Sequence, residues 1–319
     1  MAYINGKEVL FASEINITGD GGSSSVNDTW DLIITREMLV GTTLNEILKT
    51  ASGRVFVKGT TSAEGDTIEV PSAVKLIEFA PSVVFNGNVD IIGSDDSDTW
   101  YRDDCQVIRG ARNSGTSPSS TSGSETPKIK NFKGGVEHCH GAGWFFEDCN
   151  NIEHCTFLGI NNCKNISHCN VGKGFDSFME QIKITNSSDI EDLYANEETM
   201  SGWKFENCKF IRDIQIEATT GGTEFRNCTH ISNISSNGSV GASFYSCKFI
   251  RDIHTPYGSQ FYDSKYISTV CADYDYAYIV YQNCLYVDPY TCAGFLQPQY
   301  VGQNRRLTAD GSFSAPYVD

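Results

Sequence analysis

Long apolar runs are missing from this chain. Nothing in its 319 residues approaches the roughly twenty apolar residues that a membrane-crossing helix needs. The opening, MAYINGKEVLFASEI, has no basic segment followed by an apolar core, so no export signal is expected. Basic residues are also scarce, with 24 Lys and Arg against 40 Asp and Glu, for a net charge of −16. That balance argues against nucleic acid or an anionic membrane as partner, and leaves a neutral or cationic ligand open. CxxC pairs are absent despite 12 cysteines, and the HCH at 138–140 is too compressed for a tetrahedral metal site. In a chain without an export signal, buried thiols are the expected use of those cysteines, with no metal or other cofactor.

What is present divides into three parts. Residues 1–53 read as an N-terminal adaptor or cap, with short apolar patches broken by GDGGSSS and one short helix within TTLNEILKTASG. Thr43 with Glu46 makes a capping box for that helix, and Gly53 supplies a stop. From Arg54 the texture turns to short β-branched runs (RVFVKG, DTIEVPS, VKLIEFAP, SVVFNG, VDIIG) separated by turn residues. This all-β body extends over 54–290 and is interrupted at 109–128 by a Ser/Gly/Thr-rich stretch expected to be a flexible loop. Residues 291–319 are expected to cap the far end.

The body repeats one word. FEDCNNIEHC begins at 146, INNCKNISHC at 160, ITNSSDIEDL at 184 and FENCKFIRDI at 205. FRNCTHISNI follows at 225, FYSCKFIRDI at 244, FYDSKYISTV at 261 and YQNCLYVDPY at 281. The steps are 14, 24, 21, 20, 19, 17 and 20 residues, as in a solenoid with coils of about twenty residues and loops of varying length. Inside each word, apolar residues recur every third position, the period of neither a strand nor a helix. A strand that bends at Asn or Asp would restore the next apolar side chain to the inside, because these residues tolerate the left-handed backbone.

Stacking the coils predicts two polar columns. One runs through Asp148, Asn162, Asn186, Asn207, Asn227, Ser246, Asp263 and Asn283, and the other through His154, His168, Asp192, Asp213, Asn233 and Asp252. Phe146, Ile160, Ile184, Phe205, Phe225, Phe244 and Phe261 are expected as an inner stack beside a stack of cysteines.

With its Asn ladder and its stacked Cys, Ile and Phe, this pattern resembles the right-handed parallel β-helix of the pectate-lyase-like superfamily and of phage tailspikes. The segment from RVFVKG to VDIIGS is similar to that superfamily's opening coils. An alternative resemblance is to the cysteine-containing leucine-rich repeat of surface adhesion modules, F-x-x-C-x-x-L-x-x-I. That repeat has a steadier period and a proline after its strand, which this chain lacks. The opening MAYINGKEVLF is similar to the starts of tail-associated proteins encoded in bacterial prophages. Together these resemblances imply a phage tail or fibre component, made in the bacterial cytoplasm and carried in the virion. It would bind a cell-surface polysaccharide or a neighbouring tail or baseplate protein. Homotrimers are frequent among tailspikes, so trimerisation is implied as well.

Catalysis on this fold, as a polysaccharide hydrolase or lyase, would need paired carboxylates or a Ca²⁺ site. The acidic clusters at 95–98, 103–104 and 197–198, and Asp273 with Asp275, sit mostly in polar, loop-like contexts. No pectate-lyase constellation can be placed on this sequence, so the catalytic residues are unknown and a non-enzymatic protein is expected. His138, His154 and His168, each beside a Cys, form a column whose slot passes to Asp or Asn in later coils, as a corner ladder would. The position just after the middle of each word reads Asn151, Asn165, Asp189, Phe210, His230, Phe249, Tyr266 and Tyr286. Facing inward, its aromatic half is part of the core. Facing outward, Phe210, His230, Phe249, Tyr266 and Tyr286 are the candidate ligand-binding ribbon, suited to sugar rings or a partner protein.

Overall fold

The computed structural model describes residues 2–4, 7–9, 29–59, 66–85, 89–95, 105–114, 127–141, 144–171, 182–195, 202–216, 222–236, 241–272, 279–287, 291–292, 299–301 and 305–306. One coil shows how the sequence makes the fold. Along Trp203–Glu206 the side chains alternate in and out, with Trp203 and Phe205 buried. Asn207 then takes a left-handed backbone, φ 57°, and the chain turns. From there through Ile214 the period changes to three: Cys208, Ile211 and Ile214 point inward, while Phe210 and Asp213 are left-handed at φ 54°. Each left-handed residue inserts one extra position and bends the strand, so the next side chain still meets the core. The backbone pairing continues through the bend, with the Asn207 N–H donating to Arg226 O in one neighbouring coil (2.9 Å). The Lys209 N–H donates to Ser187 O in the other (3.0 Å).

Repetition of this coil builds two faces of parallel strands. One is a 12-stranded sheet running from Thr67–Glu69 to Gln299–Val301, with Phe205, Phe225, Phe244, Phe261, Tyr281 and Tyr300 in mutual register. The other carries Lys209–Ile216, Thr229–Ser236 and Lys248–His254, again parallel and in register. This is the expected parallel β-helix solenoid. Among the described residues the only helices are the 3₁₀ turn Glu37–Leu39 and the helix Leu44–Leu48, both ahead of the repeats. No helix backs any coil among those residues, so the leucine-rich-repeat alternative is set aside.

The inner column is a face-to-face stack. Phe205–Phe225, Phe225–Phe244 and Phe244–Phe261 have ring centroids 4.7, 4.8 and 4.8 Å apart and are all buried. Beside it, Cys208 and Cys228 donate their thiol hydrogens to Glu206 O (3.4 Å) and Arg226 O (3.2 Å), the carbonyls two residues back. Ser187 and Ser264 replace cysteine in two coils and do the same (2.8 and 3.0 Å). The column therefore selects a small buried side chain with a donor, whether sulfur or oxygen. Ten cysteines are buried free thiols, whereas Cys271 is disulfide-bonded.

At the N-terminal side, Thr43 and Glu46 form the expected capping box, but the helix ends at Leu48, ahead of Gly53. Gly53 instead opens the strand Gly53–Val57 with φ 68°, and a Cβ there would collide with the Asp31 carboxylate that accepts the Arg54 N–H. Leu32–Ile34 pairs in parallel with this strand, so the sheet reaches back before Arg54. At the other end it includes Arg305–Arg306. Ala2–Ile4 and Lys7–Val9 form an antiparallel hairpin. The Ser/Gly-rich stretch has strands at both margins, Val107–Arg109 with Arg112–Asn113 and Lys128–Lys130, while 115–126 lies outside the described residues.

Candidate functional site: an exposed aromatic ladder

The structure places Phe210, His230, Phe249, Tyr266 and Tyr286 on the outside. Phe210, Phe249 and Tyr266 are 50%, 46% and 44% exposed, while Ile211, Ile250 and Ile267 immediately after them are buried. All five candidates have left-handed backbones, with φ of 54°, 57°, 56°, 57° and 61°. The column is thus a third line of corners, equivalent to the two polar ones. In the earlier coils its occupants suit it: Asn151, Asn165 and Asp189 are left-handed too, and the Asn165 side-chain amide donates to Asn151 Oδ1 at 2.9 Å.

Phe and Tyr do not suit such a corner. A left-handed backbone costs a residue with a Cβ about 1–2 kcal/mol, and bulky side chains are rare there. Some of this cost is recovered by stacking, because the five rings form one continuous ladder. Successive centroids are 4.8, 4.8, 4.8 and 4.7 Å apart with interplanar angles of 27°, 21°, 5° and 13°. At about 0.5–1.5 kcal/mol per stacked pair beyond the area the rings bury, the return is of the same order as the strain. The change from Asn to aromatic therefore leaves apolar surface exposed at corners whose backbone favours a small polar residue.

Face-to-face stacking also determines what the ladder shows to solvent. The ring faces cover one another, and the edges point outward. A flat platform for sugar rings, the sequence-based expectation, is replaced by a ridge of ring edges. Beside the ridge lies a groove of about 1040 Å³. The aromatic ladder lines it together with Ile231, Ile250 and Ile267, and Glu191, Arg212, Ser232, Arg251 and Ser268 line it from the position after the buried isoleucine of each coil. Glu191 is ion-paired with Arg212 in the next coil. From the sequence, Asp213 and Asp252 are expected at corners, and the arginine before each has no assignment. Asp213 and Asp252 are corners, at φ 54° and 53°, but Arg212 and Arg251 are groove residues. Their equal distance after Phe210 and Phe249 was the available signal.

The remaining sequence candidates separate by geometry. His138, His154 and His168 are left-handed corners whose rings stack at 5.1 and 5.2 Å, and His168 Nε2 lies 3.3 Å from Asp192 Oδ2. Among the described residues no three His, Cys, Asp or Glu side chains converge as metal ligands would. Asp95 Oδ2 accepts the N–H groups of Gln106 and Lys133, both at 2.9 Å, which makes it structural. The acidic residues at 96–98, 103–104 and 197–198, with Asp273 and Asp275, lie outside the described residues. The groove does hold carboxylates at one end: Glu153 and Asp189, both exposed, and the paired Glu191. None has the desolvated setting that favours a general acid.

Fold and site thus define a parallel β-solenoid with an exposed, grooved aromatic ladder. No family model, no curated protein and no solved structure matches the chain.

Proposed function

We propose that this solenoid is a non-catalytic binding protein that holds a cell-surface glycan along its aromatic-walled groove, as the recognition component of a bacteriophage or prophage tail. One observation carries the binding reading: in five consecutive coils a ring stands where Asn or Asp suits a left-handed corner, and four of the five are Phe or Tyr, which suit it poorly and leave apolar surface exposed. Apolar surface left exposed at strained corners is the mark of a recognition site. The tail assignment is supported by the resemblance of the opening MAYINGKEVLF and of the coils to tail-associated β-helix proteins. Trimerisation and a place in the virion belong to the same proposal.

The test is binding of fluorescently labelled protein to bacterial cells, comparing the unchanged chain with Phe249→Asn/Tyr266→Asn. Loss of cell binding by the variant with folding intact supports the reading, and equal binding refutes it. A depolymerase reading is favoured only by the carboxylates at the groove end. Release of reducing ends or unsaturated sugars from host polysaccharide would establish it in place of the non-catalytic one.

A further inference from the structure

The net charge of −16 conceals a local reversal at the ladder. The residues just before the ring positions, read in register, are Lys209, Thr229, Lys248, Lys265 and Leu285. Two positions beyond each of the first four rings, across the buried isoleucine, the groove side carries Arg212, Ser232, Arg251 and Ser268. The ridge of ring edges therefore runs between a lysine column and a groove-side column whose two arginines are ion-paired, Arg212 with Glu191 and Arg251 with Asp252. Lys209, Lys248 and Lys265 have no ion pair among the described residues. Lys248 and Lys265 lie directly opposite each other in neighbouring strands, a like-charge arrangement that is destabilising unless a counter-charge is supplied. Facing these cations are Glu191, paired with Arg212, and the corner residues Asp213 and Asp252, the latter 3.8 Å from Arg251.

Building on the glycan-binding reading, we infer that the ligand is an acidic polysaccharide laid parallel to the solenoid axis, with its charged groups over the ladder between the Lys and Arg columns. Two features agree on the sign. Lys209, Lys248 and Lys265 form a column without ion pairs among the described residues, with Lys248 facing Lys265, and ring edges are the positive end of the aromatic quadrupole. Spacing adds a repeat. Neighbouring coils are about 4.8 Å apart, close to the rise of one pyranose in an extended chain. Arg212 and Arg251 stand two coils apart, as do Lys209 and Lys248. These two pairs match a polymer with an acidic group on every second sugar, and Lys265 adds a further cation one coil beyond Lys248. The groove end bearing Glu153, Asp189 and Glu191 repels such a chain and marks where the bound segment stops. Single-stranded nucleic acid is disfavoured, because bases bind to ring faces and here the faces are occupied by neighbouring rings.

Hyaluronate carries one carboxylate per disaccharide, and its carboxyl-reduced form is neutral and otherwise the same polymer. The full chain is titrated with each by calorimetry, beside oligo-dT and the variants Arg251→Gln and Lys248→Gln/Lys265→Gln, with circular dichroism confirming the fold. Hyaluronate is expected to bind roughly tenfold or more tightly than the neutral form, to weaken as salt rises, and to lose affinity in both charge variants. Equal affinity for the two polymers, binding of neither, or tighter binding of oligo-dT overturns the acidic-polysaccharide inference. Cell binding that still depends on Phe249 and Tyr266 would in those cases leave the broader glycan reading standing. Failure of both assays removes both.

Discussion

Phe249 and Tyr266 stack with centroids 4.8 Å apart and planes 5° from parallel, although both backbones are left-handed, at φ 56° and 57°. The relationship is a compromise, with backbone strain exchanged for ring contact. Replacing both residues with Asn, as the coils at Asn151 and Asn165 have it, is expected to cost no more than about 2 kcal/mol in stability, because relief of backbone strain offsets much of the lost ring contact. Cell binding is expected to fall sharply. Thermal melts and cell-binding assays on the same preparation check the pair of outcomes.

The same residue type should behave oppositely in the two aromatic columns. Phe225 is fully buried between Phe205 and Phe244, so Phe225→Ala leaves a cavity and is expected to cost about 3–5 kcal/mol. Phe249→Ala removes a half-exposed ring from a strained corner and should cost about 1 kcal/mol or less. Urea titration of the two variants separates the columns, and similar losses would contradict the placement of one of them.

Buried thiols make the fold sensitive to alkali. Burial pushes the Cys284 thiol up to about 12 from an ordinary value of 9.0, and Cys155 and Cys163 are also raised, chiefly by burial. The unfolded chain releases these protons at a lower pH than the folded one, so above pH 9.0 the unfolded state binds fewer protons. Their contribution is full below the ordinary thiol value and is lost as pH rises toward the folded values. Cys284→Ser, which repeats the choice already present at Ser187 and Ser264, should flatten the decline in melting temperature above pH 9.0.

The capping box offers a local test before the repeats begin. The Glu46 N–H donates to Thr43 Oγ1 at 3.2 Å, and the Thr43 N–H donates to Glu46 Oε2 at 3.0 Å. Thr43→Ala should destabilise the chain by about 1 kcal/mol in urea titration, and an unchanged midpoint would show that this turn contributes nothing.

The solenoid was legible in the sequence because its corners and core use different residue types at a fixed offset. Asn207 against Cys208, and Asp213 against Ile214, are each visible as a polar-apolar step. The third line of corners was hidden by its own occupants. Phe210 and Tyr266 do not announce a corner, because aromatic residues are poor left-handed formers, and only Asn151, Asn165 and Asp189 in the same slot betray the backbone beneath. The outward sense of the rings was undecidable for a related reason, since a slip of one position exchanges inside and outside. Arg212 could not be separated from Asp213, because only the folded coil shows that one points to the groove and the other makes a corner.

The left-handed corners have a consequence for how such a molecule can change. Every coil joins its neighbours through the same main-chain contacts, whatever letter stands at the outer corner. A duplicated or deleted coil would lengthen or shorten the reading edge by one graduation without redesigning the interior. The molecule is in this sense a ruler, whose span is set by the number of coils and whose markings can be rewritten one at a time.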